Sequence, residues 1–327
     1  MLQIEIDNKD GFLWDLSGIV SEATFKTARV GQASSFEMTM IKGGFYEAKE
    51  FKYNLGDIVR VRQDGRNVFY GYIFSIESGR EETVQITAYD QMRYLLANDS
   101  YVLSNVTATQ VVERIGKDFG LKLGKLDDTK HVIPGLSENN TKLLDIIFKA
   151  IDKTLIATKK IYVLFDDFGE LTLRDAETMA LDFSLGDTSL VYDYKQKRSL
   201  DKTSNKIKIV RDNKESGKRE LYIVQDSRTI AKWGLLQHYQ TVDEKVSAEK
   251  VKEMLDNLIQ LKNREQRSFS IDALGDIRVR AGCYVSINME ELGLNQRFLV
   301  NECTHKFDGS VEHTMSLELI DIRIGER

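Results

Sequence analysis

The chain has 327 residues, enough for two or three domains, with 42% hydrophobic residues, 30% charged residues and one proline, Pro134. That composition excludes wholesale disorder, collagen and proline-rich ligand segments, and no apolar run approaches the roughly 20 residues a spanning helix needs. A net charge of −5 argues against bulk attraction to phosphate backbones or anionic lipid, so neither specific nucleic-acid binding nor membrane insertion is expected.

Residues 1–95 read as mostly β. VRVR (59–62), the turn Gln63-Asp64-Gly65-Arg66 and NVFYGYIFSIE form a hairpin, because Asp-Gly tolerates positive φ between two alternating runs. In the second run the bulky face of Val68, Tyr70, Tyr72, Phe74 and Ile76 is expected to be the core side, with Phe69, Gly71, Ile73 and Ser75 opposite. Ser78-Gly79 marks the next turn and TVQITAYD (83–90) the next strand. An aromatic-rich meander of this kind is expected to close into a barrel or sandwich. The start, MLQIEIDNKD, is acidic where a signal peptide is basic, so export by that route is not expected.

From 96 to 190 the period changes. Thr107 to Gln110 fits a capping box, and Val111, Val112, Ile115 and Phe119 follow at helical spacing up to Gly120. A second helix is expected after Asn139-Asn140-Thr141, its stripe formed by Leu143, Leu144, Ile147, Phe148, Ile151 and Leu155, with Pro134-Gly135 in the loop between the helices. IYVLFDD, a turn through Phe168-Gly169 and ELTLRD make a hairpin. The segment is a compact α+β module.

From 191 to 327 strands return. KIKIVRD (206–212) and KRELYIVQD (218–226) flank a turn at Asn213–Gly217, and a helix over 247–264 is capped by Ser247. GDIRVRAGCYVSINM, RFLVNECTHKF and VEHTMSLELID then supply three strands. Gly275-Asp276-Ile277-Arg278 matches Gly56-Asp57-Ile58-Val59, and each is followed by strand, turn, strand, turn, strand. The expected fold is therefore α+β and β-rich. Two similar antiparallel β-barrel units (1–95 and 191–327) have an α+β module (96–190) inserted between them.

Chemistry is sparse. Cys283 and Cys303 lie in strand-like runs and read as buried thiols of a chain made in a reducing cytoplasm. Cys303, His305 and His313 form the best metal candidate, weakened by the Phe307–Ser310 turn and the lack of a fourth ligand. Asp166, Asp167 and Glu170 cluster at a hairpin turn, where acidic side chains bond local backbone. No P-loop, dinucleotide, G-x-S-x-G or H-E-x-x-H pattern occurs, so no catalytic, cofactor-binding or metal residue is assigned and no cofactor is expected.

Several short motifs recur in an ordered series. They are Gly56-Asp57-Ile58-Val59, Val68-Phe69-Tyr70-Gly71-Tyr72-Ile73, Thr87-Ala88-Tyr89-Asp90, Arg93-Tyr94-Leu95, Thr107 to Phe119, Asp226-Ser227 to Lys232-Trp233-Gly234, the helix from Ser247, and His305 with His313-Thr314-Met315-Ser316-Leu317. In this order the chain resembles the baseplate hub proteins of contractile phage tails and phage-tail-like bacteriocins, of the late-control-protein-D type and its XkdQ/YqbQ-like branch. The resemblance implies a structural, non-enzymatic hub. It implies a homotrimeric ring whose two tube-like units per chain adapt a hexameric tail tube to a trimeric central spike. The implied partners are the spike, the tube, and other baseplate and LysM-type tail proteins. The implied location is the bacterial cytoplasm during assembly and then the baseplate. Some hubs carry a fused hydrolase or spike. This chain stops soon after its last strand, so any cell-wall cutting is expected of a partner. The alternative is a cell-wall hydrolase or carbohydrate-binding tail module built on the acidic hairpin.

Overall fold

The computed structural model describes residues 2–43, 50–80, 82–186, 191–213, 218–244, 246–309 and 312–321. The first β unit contains β1 (Leu2–Asp7), β2 (Leu13–Asp15), β3 (Val20–Ala28), β4 (Ser35–Ile41), β5 (Ile58–Gln63), β6 (Arg66–Ser78) and β7 (Thr83–Tyr89). They lie in the order β3-β4-β7-β6-β5-β1-β2 with every neighbour antiparallel. Asp64 (φ 50°) and Gly65 (φ 77°) make the expected tight turn between β5 and β6.

The core face of β6 is the reverse of the expected one. Phe69, Gly71 and Ile73 are buried, while Tyr70 and Tyr72 are half-buried and Phe74 is exposed. The reason is a close fit inside: a Cβ at position 71 would lie 2.4 Å from both the Phe69 ring and the Tyr89 carbonyl oxygen. Glycine there lets one large ring fill the interior, and the tyrosines serve outer contacts. A bulge between Ile73 and Ser75 then reverses the parity and returns Ile76 to a partly buried position against the core.

The middle module comprises β8 (Asn98–Val106), α1 (Ala108–Asp118), β9 (Leu123–Leu126), β10 (Ile133–Lys142), α2 (Leu143–Thr158), β11 (Tyr162–Asp166) and β12 (Leu171–Asp175). Thr107 and Gln110 form the reciprocal capping box of α1. Val111, Val112 and Ile115 pack with Leu143, Leu144, Ile147 and Ile151 of α2 in one core. Pro134-Gly135 is not in a loop but in β10, which pairs only with β8 among the described residues. An outer strand tolerates proline because it has an unpaired side for the missing N–H.

The second β unit contains β13 (Ala180–Gly186) and β14 (Val191–Ser199), and resumes after an insertion. The insertion carries β15 (Lys206–Asn213), β16 (Lys218–Gln225), α3 (Ser227–Trp233), β17 (Gln237–Val242) and α4 (Ala248–Lys262). The turn expected at 213–217 lies outside the described residues from 214 onward, but β15 and β16 are paired antiparallel as expected. α4 packs on this small sheet, with Ile207, Ile209, Val251, Leu255 and Leu258 forming a separate core. β18 (Gln266–Leu274), β19 (Tyr284–Met289), β20 (Leu294–Asp308) and β21 (Thr314–Ile320) complete the unit in the order β14-β18-β21-β20-β19-β13.

The two units repeat strand for strand: β3-β4-β7-β6-β5 corresponds to β14-β18-β21-β20-β19. The registers agree in detail. Tyr72 faces Tyr89 and Ile73 faces Ala88 before a bulge, just as Leu299 faces Ile320 and Val300 faces Leu319 before a bulge. Ser35-Phe36 faces Tyr89 and Ala88, and Ser268-Phe269 faces Ile320 and Leu319. A second bulge follows Val20 in β3 and Val191 in β14.

The glycine that anchors the second copy is Gly282, not Gly275. Gly56 N–H donates to the Ile73 carbonyl (2.8 Å) and Ile73 N–H to the Asp57 carbonyl (2.9 Å). Gly282 N–H likewise donates to Val300 (2.8 Å) and Val300 N–H to Cys283 (2.9 Å). Both glycines have positive φ, 85° and 94°. Neither unit closes into a barrel of its own among the described residues. Instead β3 pairs with β20, and both units belong to one 13-stranded sheet.

Candidate functional site

The seam between the units is the feature from which assembly can be argued. β3 and β20 run antiparallel over seven registered pairs, from Glu302↔Ala28 to Asp308↔Glu22, and Arg29 N–H donates to the Asn301 carbonyl at 2.9 Å. On the inner face the Phe25 ring lies 5.9 Å from Phe69 and 6.0 Å from His305, so aromatic packing bridges the two units.

The structure brings Cys303, His305 and His313 together as a hydrogen-bonded row. A carbonyl can only accept, so the 2.8 Å contact to Val279 O fixes the His305 proton on Nε2. His305 Nδ1 then accepts from His313 Nε2 at 2.9 Å, and His313 Nδ1 accepts from the Gln63 amide at 3.4 Å. Both rings are neutral in this arrangement. Burial drives the His305 imidazole down to about 4, helped by the neighbouring His313, and burial lowers His313 as well. The Cys303 thiol, 3.2 Å from His305, is pushed well above its ordinary value by burial. Among the described residues no group of three or more His, Cys, Asp or Glu side chains is placed to hold a metal ion.

The middle module locks onto this seam through a buried polar joint. The Arg280 guanidinium lies 3.8 Å from the centre of the Phe165 ring and donates to the Asp166 carbonyl at 3.2 Å. Asp166 of the acidic hairpin is turned inward, accepting from Gln91 (2.8 Å) and from Gly169 N–H (2.6 Å). Asp90 accepts from Ser34 N–H and Met92 N–H at 2.9 Å each. Burial, with the nearby Asp166 charge, pushes Asp90 up to about 7, and burial raises Asp166 too. Glu170 pairs with Lys122 at 2.7 Å. Of the hairpin carboxylates Asp166 thus serves the joint, while Glu170 is held by Lys122.

Beside this joint the outer aromatics Tyr70, Tyr72, Tyr94 and Phe168 line a cleft of about 650 Å3. The corresponding face of the second unit is covered, where Tyr284 and Leu299 pack on Ile161, Val163 and Phe165 of the middle module.

Local periodicity could not reveal the seam, because its partners are over 270 residues apart in the chain. The signal that was available is Ser-Phe at 35–36 and again at 268–269, with Gly56 and Gly282 preceding matched alternating runs.

A repeated β unit joined edge to edge, clamped by an α+β module, is the fold of phage tail proteins. The chain superposes on the prophage MuSo2 43 kDa tail protein from Shewanella oneidensis with a TM-score of 0.71 at 16% identity, covering 97% of each chain. It superposes on the tail protein from Neisseria meningitidis MC58 with a TM-score of 0.72 at 12% identity, covering 99% and 97%. In sequence it is 30% identical over 273 residues to the phage-like element PBSX protein XkdQ of Bacillus subtilis, across 81% of this chain and 82% of that protein. Residues 23–320 match the YqbQ-like family, and the chain belongs to it. Its fold is that of the two solved tail proteins. No helix among the described residues is long and apolar enough to cross a membrane.

Proposed function

We propose that three copies of this chain form the hub ring of a contractile tail or tail-like particle, adapting a hexameric tail tube to a trimeric central spike. The observation that carries this reading is the internal repeat: two units with matching strand order, registers and bulges, fused edge to edge in one sheet. Three chains contribute six similar units, and a head-to-tail contact closes into a ring when its rotation returns to the start. In this reading residues 1–95 and 191–327, with β13 (Ala180–Gly186) added to the second, supply the tube-like units, and the rest of residues 96–190 braces them from outside. The mechanism is mechanical and non-enzymatic: the ring presents near-sixfold symmetry to the tube and true threefold symmetry to the spike. Other baseplate and LysM-type tail proteins are its further neighbours, and the cell's cytoplasm is where it assembles.

Size-exclusion chromatography with light scattering tests the reading. A stable trimer, or a monomer that becomes trimeric with a spike or tube protein of its particle, supports the proposal. A monomer that ignores both overturns it. No observation favours the hydrolase reading, since Asp166 is occupied by Gln91 and Gly169 and Glu170 by Lys122.

A further inference from the structure

The β3·β20 seam has a counterpart within the repeat that no described strand of the same chain fills. β5 covers one edge of β6 only as far as Ile58↔Tyr72, extended by the bonds of Gly56 and Asp57 to Ile73. Among the described residues no strand continues along that edge at Ser75–Ser78. In the second unit the corresponding stretch of β20, beginning at Glu302, is where β3 docks. The counterpart of β3 is β14, which ends the sheet, and its residues 192–198 are exposed at every position. A nine-residue outer strand with this exposure is a template for pairing unless another chain covers it.

From the register of the internal seam we infer that β14 of one copy adds antiparallel to the open edge of β6 in the next copy. The pairing is Ser75↔Ser199, Ile76↔Arg198, Glu77↔Lys197 and Ser78↔Gln196. This register follows from carrying Glu302↔Ala28, Cys303↔Thr27, Thr304↔Lys26 and His305↔Phe25 across the repeat. The chemistry agrees with it. Glu77 and Lys197, both exposed, become directly opposed charges on the outer face, a favourable cross-strand pair. Two steps further, Arg80 comes beside Tyr194, an exposed ring able to take a cation on its face. Three internal seams and three such junctions make six quasi-equivalent contacts in a closed ring. The inference rests on the trimeric reading above and adds to it which edges meet and in which register.

The bond from Arg29 to Asn301 sets the alternation, so Thr304↔Lys26 and its counterpart Glu77↔Lys197 are non-hydrogen-bonded pairs. Cα atoms of such pairs lie about 4.5 Å apart, within the range a disulfide bridges. The native cysteines, Cys283 and Cys303, are buried. The test is the full-length double variant Glu77→Cys/Lys197→Cys, oxidised and run without reductant. Each single variant and the pair Glu77→Cys/Asp193→Cys, displaced by about 13 Å along the strand, serve as controls. Melting curves of the reduced variants establish that they fold, and light scattering of the same reduced samples gives the oligomer. Covalent dimers and trimers from the registered pair, absent from the controls, are expected. A reduced trimer that gives no registered cross-link, or gives the displaced one equally, overturns this inference and leaves the ring standing. A sample that stays monomeric with the spike and tube proteins added overturns both.

Discussion

Acidification singles out the His305 row. His305 has no solvent exposure and its folded form holds the ring neutral. In the unfolded chain the imidazole titrates near 6.5, and in place it titrates at about 4. The folded chain thus binds fewer protons through this window. The stability is complete above the unfolded value and is lost as pH falls from about 6.5 towards 4. The expected loss from this one ring is about 2 kcal/mol at pH 5 and about 3 kcal/mol at pH 4. Protonation has a clear structural cost, since His305 Nδ1 would turn from acceptor to donor against His313 Nε2, which already donates to it. Urea unfolding followed by the fluorescence of Trp14 and Trp233 at several pH values measures the loss. The His305→Gln variant keeps a donor for the Val279 carbonyl and has no such titration. Taking the difference between wild type and variant removes the carboxylate contributions common to both. Parallel pH profiles for the two proteins would refute the reasoning.

Other consequences follow from the same contacts. Gly56→Ala and Gly282→Ala place a side chain at the same position of the repeat with different surroundings. The first costs about 1 kcal/mol for positive φ in open space, whereas the second adds a clash with Val163 at 2.4 Å and about 1–3 kcal/mol more, read from chemical denaturation. Arg280→Ala removes the guanidinium that stacks on Phe165 and donates to the Asp166 carbonyl, and costs about 2–3 kcal/mol. Arg280→Lys restores only part of this, because an ammonium lacks the flat face that stacks on Phe165, and thermal melts distinguish the two. Peptidoglycan zymography of the wild type is expected to show no clearing; clearing that Asp166→Asn, Asp167→Asn or Glu170→Gln abolishes would overturn the structural role of the hairpin.

Much of the local structure was legible because the signals are local. The Asp64-Gly65 turn, the Thr107–Gln110 box and the Ser247 cap each depend on neighbours within a few residues, and all three form. The existence of a repeat was legible too, from order and alternation. Its anchor was misplaced by seven residues, since Gly275-Asp276 copies the letters of Gly56-Asp57 while Gly282-Cys283 copies their hydrogen bonds. The core face of β6 was misread because side-chain bulk was taken as the guide. The deciding fact is tertiary: Phe69 occupies the space that a side chain at Gly71 would need. For a similar reason neither tube-like unit closes on itself among the described residues. Closure depends on which outer edges meet, and β3 meets β20, a pairing no local window contains. Among the acidic hairpin residues, spacing marked the turn correctly but gave no sign that Asp166 faces Gln91 inside the joint.

The central claim concerns symmetry, and end views of the purified particle by electron microscopy test it most directly. Averages are expected to show a ring with a strong sixfold component and a weaker true threefold, at a mass three times the 37.4 kDa of one chain. Rings with any other dominant symmetry, or only isolated two-lobed particles with the spike and tube proteins present, would contradict it.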